Sequence, residues 1–173
     1  DLGPQAKSLI KYVQAVKAGK QNVSNLMYFK HESDIKKDGK INDIVKSGAN
    51  LLVQVAKEPI SAKGPRITTE ISLAGRYIVL IPFTDKISVS SKIKNFEEKN
   101  RLKELMQSIK PKNFGVIVRT VAEGKTVAEL EGDLNDLIKK WDECYKTLKT
   151  AEPPVRVLGE MDRTNSILRD FLN

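Results

Sequence analysis

Asn113-Phe-Gly-Val-Ile-Val-Arg-Thr-Val-Ala-Glu-Gly-Lys-Thr126 is the stretch that decides the fold of this chain. Phe114 to Val118 form a short apolar, β-branched run of the kind that makes a buried strand. The strand delivers Arg119 and Thr120 at its carboxyl end, before a turn at Ala122-Glu-Gly-Lys125. Thr126-Val-Ala-Glu129 then has the spacing of a capping box, in which each end side chain satisfies a backbone amide of the first helical turn. Val127, Leu130, Leu134, Leu137, Ile138, Trp141 and Leu148 follow as one apolar stripe, predicting a helix of about six turns. Pro153-Pro154 stops it, and a short amphipathic tail carrying Ile167, Leu168 and Phe171 closes the chain.

Working back from Asn113, Leu102, Leu105, Met106 and Ile109 recur at i, i+3, i+4 and i+7 and predict a helix that packs on the sheet and ends at Lys110-Pro111. Its other face, with Glu97, Glu98, Lys99, Arg101, Lys103 and Glu104, carries both signs and reads as solvated. Lys86 to Ile93 alternates and suggests an edge strand. Arg76 to Ile81 is an apolar strand closed by Pro82, with Gly75 interrupting the pattern before it. Asn50 to Lys57 and Arg66 to Leu73 read as two further strands, joined by a loop with two prolines and a glycine. Upstream, Ile10, Val13, Ala15 and Val16 suggest a short helix, and Gly19 and Asp38-Gly39 mark turns. A strand-rich first part followed by strand, helix, strand and helix argues for an α+β protein.

Composition narrows the partners without naming one. The chain has 173 residues, 30 Lys plus Arg against 22 Asp plus Glu, and a formal charge of +8, which favours a polyanion through long-range attraction. Residues 1 to 31 are lysine-rich (7, 11, 17, 20 and 30) with Asp1 as their one acid; they read either as a solvated face or as added basic surface. One cysteine, Cys144, excludes an internal disulfide and fits a reducing cytoplasm; it sits in a helical apolar pattern and reads as packing. No run reaches the length of a membrane span, so a soluble, cytoplasmic protein is expected.

Several chemistries fail on spacing. Gly124-Lys125-Thr126 resembles the end of a nucleotide-binding P-loop, but the position five before Gly124 is Arg119 where a glycine is needed. The turn still predicts amides and a positive helix end that favour a phosphate near Arg119, with Lys125 beside it. One His and one Cys do not make a zinc site, Asp133 and Asp136 read as solvent-facing, and His31 has no catalytic partner. Aromatic content of 6% argues against an extended base-stacking platform. What remains is Arg119 beside Thr120: a guanidinium fork and a hydroxyl on a strand end make a compact anion receptor. The plainer alternative is an arginine that caps the strand and meets a surface carboxylate.

The 113–126 stretch resembles the phosphate-sensing segment of the ribonuclease E/G family, endoribonucleases of RNA processing and decay that prefer a 5′-monophosphate end. Lys63-Gly-Pro-Arg-Ile-Thr-Thr-Glu-Ile-Ser-Leu-Ala-Gly-Arg-Tyr-Ile-Val-Leu-Ile-Pro82 resembles the family's junction between its OB-fold RNA-binding domain and that sensor. Weaker matches at Trp141 and at Thr164 to Phe171 extend the likeness over roughly residues 45 to 173. The resemblance implies a partial OB-type β-barrel with a lysine-rich insertion over 1–69. It further implies a 5′-phosphate sensor, a small mixed sheet with two packed helices, over 70–152, and a linker and start of an RNase H-like domain over 153–173. It assigns the terminal phosphate to Arg119 and Thr120 and the first nucleotide to Gly75 and Val79. Lys63 and Arg66, on the loop that OB folds use for nucleic acid, and Lys92 and Lys125 become backbone contacts. Ser90-Ser91-Lys92 departs from the family's paired basic residues and keeps one charge.

The implied partner is single-stranded RNA with a 5′-monophosphate, and no membrane. No cofactor is implied for this stretch; the whole enzyme's magnesium belongs to a deoxyribonuclease-I-like domain expected beyond Asn173, so the chain alone is expected to be inactive. The front strands of the barrel are expected before Asp1. The rival expectation is a structural module that forms homo-oligomers through exposed domain edges and recognises no RNA end.

Overall fold

A computed structural model describes residues 1–36 and 38–159. Over these residues the protein is α+β, with a four-stranded mixed sheet, three α-helices and a separate two-stranded ribbon. The elements are α1 (Ala6–Lys17), β1 (Gln54–Lys57), β2 (Arg66–Thr68), β3 (Leu73–Ala74), β4 (Ile78–Pro82), β5 (Ile87–Val89), α2 (Phe96–Ile109), β6 (Phe114–Val118) and α3 (Val127–Thr150).

The large sheet has the order β3-β4-β6-β5, with β6 antiparallel to β4 and parallel to β5. Ile78 pairs with Val118 and Leu80 with Val116, and all four are buried; the intervening pair Val79 and Ile117 lies on the other face, where Ile117 is 40% exposed. That alternation follows from the two-residue pleat. Ala74 and Ser88 extend the row of Val79 and Ile117 across all four strands.

Both sheet-packed helices begin with a side-chain cap. Asn95 accepts the amide of Glu98 at the head of α2. Thr126 and Glu129 form the reciprocal capping box of α3. Leu102 and Met106 of α2 are fully buried, as are Leu130, Leu137 and Trp141 of α3. Val127, the first residue of α3, is 40% exposed, and the packed part of the stripe begins at Leu130.

The first helix joins this same core. Its buried face is Leu9, Tyr12, Val13 and Val16, one position round from the expected Ile10 and Ala15. Tyr12 lies 5.5 Å from the Trp141 ring and 5.3 Å from Phe83. Asn113, at φ 67°, donates through Nδ2 to the carbonyls of Leu26 and Phe29, at 2.6 and 2.9 Å. The core therefore runs across the boundary expected at residue 69.

The expected Arg66–Leu73 strand divides in two: Arg66–Thr68 pairs with β1 in the ribbon, whereas Leu73–Ala74 pairs with β4. Val55 and Ile67 face each other on the ribbon and are 56% and 44% exposed. The expected tail with Ile167, Leu168 and Phe171 lies outside the described residues.

Candidate functional site

At the carboxyl end of β6, Arg119 continues the extended backbone (φ −80°, ψ 162°), so the pleat puts its side chain on the side of Ile117. Its amide donates to the Tyr77 carbonyl at 2.8 Å. Its Nη1 donates to the carbonyls of Gly75 and Arg76, at 2.8 and 3.1 Å. The guanidinium is thus locked onto the turn that joins β3 to β4. Thr120 is exposed and opens a short 3-10 turn to Ala122, its hydroxyl 3.1 Å from that of Ser90. The Ser90 hydroxyl in turn accepts the Lys92 amide at 3.3 Å, which brings the backbone of Lys92 to the same corner.

More cationic side chains surround Tyr77. Arg76 and Lys125 each lie 5.3 Å from its ring centroid, within cation–π range. Lys125 also meets Glu129 at 3.1 Å, and that hydrogen bond raises its pKa above the usual lysine value. The Thr126 amide, followed by Lys125, holds the Glu129 carboxyl down to about 2.

The structure brings Arg119, Thr120, Gly75, Lys92 and Lys125 to one end of the sheet. Val79 sits on β4 opposite Ile117, on the open face beside them. Lys63 and Arg66 lie apart, on the ribbon. Lys63 closes its loop through backbone bonds with Ile60, and Arg66 pairs with Asp1 at 2.5 Å.

Three expectations change. Asp133 is half-buried and does not face solvent: it accepts the amides of Arg76, Tyr77 and Ile78, at 3.0, 2.8 and 3.0 Å. Its position three after Leu130 and four before Leu137, both on the buried stripe, was the signal for an inward side chain. Glu98 and Arg101 are likewise not simply solvated. They form a two-bond ion pair at 2.6 and 2.7 Å. Glu98 also accepts the Gly124 amide at 2.8 Å, and Arg101 donates to the Lys125 carbonyl at 3.1 Å. Finally, the amides expected to attract a phosphate at this turn have protein acceptors: Glu98 for Gly124, the Ala122 carbonyl for Lys125, and the Glu129 carboxylate for Thr126.

Gly75 has its own reason to be a glycine. A Cβ built there would lie 2.5 and 2.6 Å from the two carboxylate oxygens of Asp133, so the close approach it permits is that of an internal side chain.

Among the described residues no three His, Cys, Asp or Glu side chains are grouped to hold a metal ion. No helix of the described residues is long and apolar enough to cross a membrane.

A sequence model of the Ribonuclease E/G family matches residues 72–173. Among curated proteins, "Ribonuclease E" of Nostoc sp. (strain PCC 7120) is 38% identical over 131 residues, covering 76% of this chain and 19% of its own length. "Ribonuclease G" of Escherichia coli (strain K12) is 36% identical over 131 residues, 76% of this chain and 27% of the relative. "Ribonuclease E/G-like protein" of Pyropia yezoensis is 34% identical over 161 residues, 91% of this chain and 32% of the relative. The chain thus spans 19% to 32% of the length of these relatives.

Proposed function

Because the chain belongs to the ribonuclease E/G family, we propose that it is the RNA-binding, 5′-monophosphate-recognising part of an endoribonuclease of RNA processing and decay. The observation that carries this reading is the Arg119–Thr120 strand end: a guanidinium seated on a fixed turn, with an exposed hydroxyl next to it. A phosphate at a strand's end takes parallel hydrogen bonds from an arginine fork and a further one from a hydroxyl. Arg76, Lys92 and Lys125 supply positive potential around it, and Gly75 and Val79 lie where the first nucleotide would rest. Lys63 and Arg66 on the ribbon hold more distant backbone phosphates. The partner is single-stranded RNA in the cytoplasm. Cleavage is assigned to magnesium chemistry outside these residues; what this part contributes is orientation of the RNA by its end.

The test is a titration of the chain with 5′-phosphorylated and 5′-hydroxyl oligoribonucleotides of one sequence. Tighter binding of the phosphorylated RNA is expected. Replacing Arg119 by Ala removes charge-assisted bonds and is expected to weaken that RNA by roughly ten- to a hundredfold, with little change for the 5′-hydroxyl RNA. Equal weakening of both would make Arg119 a general backbone contact. Because Arg119 also holds the Gly75 and Arg76 carbonyls, the variant's melting temperature must be measured alongside.

A second reading is favoured by the exposed Val55–Ile67 pair: the ribbon associates with another copy of the chain. A two-stranded ribbon is marginal alone, and two opposed apolar side chains offer it a surface to cover. Sedimentation of the chain against its Val55→Lys variant tests this; a mass that does not change rejects it.

A further inference from the structure

The turn from Gly75 to Ile78 is gripped from two sides by opposite chemistry. Asp133 of α3 accepts its three consecutive amides, from Arg76, Tyr77 and Ile78. Arg119, just past β6, donates to its carbonyls at Gly75 and Arg76. Neither side chain touches only a surface: Asp133 rises from a helix anchored by Leu130, Leu134 and Leu137, and Arg119 from a strand anchored by Val116 and Val118. Glu129, one helical turn before Asp133, holds Lys125. One face of α3 therefore fixes both the turn under Arg119 and the lysine across Tyr77.

We propose that Asp133 is a positioning residue for the RNA end: it presets the Gly75–Ile78 turn, and through that turn the direction in which the Arg119 guanidinium points. This rests on the end-recognition reading above. A carboxylate that accepts three amides in a row holds a turn more rigidly than the turn's own single backbone bond, Gly75 amide to Ile78 carbonyl. An arginine whose fork is oriented before binding loses less freedom when a phosphate arrives. Gly75 belongs to the same device, since a methyl group there would overlap the carboxylate at 2.5 to 2.7 Å. Asp133 and Gly75 consequently act as a pair, and that pairing sets this proposal apart from a simple stabilising contact.

The experiment measures, in the whole chain, the ratio of affinities for 5′-phosphorylated and 5′-hydroxyl RNA together with the melting temperature. Variants are Asp133→Ala, Asp133→Asn, Gly75→Ala and the double change Gly75→Ala with Asp133→Ala. Loss of a preset charge-assisted contact is expected to reduce the ratio on the order of tenfold in Asp133→Ala. Gly75→Ala is expected to do the same while Asp133 is present, and to add no more than about twofold once Asp133 is gone, because coupled sites depart from additivity. Asp133→Asn, which keeps one acceptor and turns an amide group toward the other amides, is expected to fall between. A lower melting temperature with an unchanged ratio overturns the proposal, leaving Asp133 a stabilising contact alone. Additive losses from the two single changes overturn the pairing. If the unaltered chain itself shows no preference between the two RNA ends, the end-recognition reading falls, and this proposal with it.

Discussion

Two turns flank the end of β6, and each is held by a carboxylate from a different helix. The Gly75–Ile78 turn gives three amides to Asp133 of α3, whereas the turn before α3 gives its Gly124 amide to Glu98 of α2. Both turns contain a glycine, for opposite reasons. Gly75 has no room for a Cβ, because the carboxylate fills the space. Gly124 has nothing within 4 Å of a Cβ but adopts φ +73°, a conformation that costs residues with a side chain. One glycine answers to a neighbour and the other to its own backbone. Like residues in like turns therefore have to be argued one at a time.

The contrast can be broken by substitution. The largest effect is expected at Gly75→Ala, where displacing Asp133 from its charge-assisted bonds costs about 2–4 kcal/mol. Urea unfolding measures it, and a loss under about 1 kcal/mol would mean that the carboxylate slides aside without leaving its amides. Gly124→Ala is expected to cost about 1–2 kcal/mol, and Gly124→Asn less, because Asn tolerates left-handed backbone. The same Asn at Gly75 should give no such relief, since space and not φ is limiting there.

Acid sharpens the comparison next. The Glu98 carboxyl is held down to about 2, first by the hydrogen bonds from Arg101 and then by the Gly124 amide. Its contribution to stability is complete above the ordinary value of 4.5 and is lost as pH falls toward about 2. Unfolding curves across that window should fall less steeply for Glu98→Gln than for the unaltered chain; parallel curves would deny Glu98 its role at the Gly124 turn. The smallest change is expected from Thr120→Val. Its hydroxyl bond to Ser90 is exposed, and stability should move by less than about 0.5 kcal/mol in the same urea measurement.

What the sequence disclosed follows the range of the interactions involved. β6, the capping box at Thr126 and Glu129, and the α3 stripe were legible because each is decided by residues a few positions apart. The Arg119–Thr120 strand end followed from the same local pattern. Asp133 departs from the expected solvent-facing position because its amide partners lie 55 to 57 residues away, beyond the reach of a local pattern. Glu98 and Arg101 depart for a like reason, since charged residues are usually solvated and the Gly124 amide that Glu98 accepts is 26 residues distant. The buried face of α1 differs from the expected one because much of what covers it, Trp141 of α3 and Phe83 just past β4, comes from residues distant in the sequence. The split of Arg66–Leu73 between two sheets likewise depends on which partner strand each half finds.

Trp141 is the chain's single tryptophan, and its indole nitrogen donates to the Ser24 carbonyl at 2.9 Å. Phe83 and Phe114 meet the ring edge-on at 5.9 and 6.0 Å, and Tyr12 lies tilted against it. The molecule thus carries its one indole fluorophore at the seam where residues 1–29 join the α3 side of the core. Its emission should shift to the red, with loss of energy transfer from Tyr12, when that seam parts. Such a signal would report undocking of the first helix as a spectral event separate from the melting of the sheet.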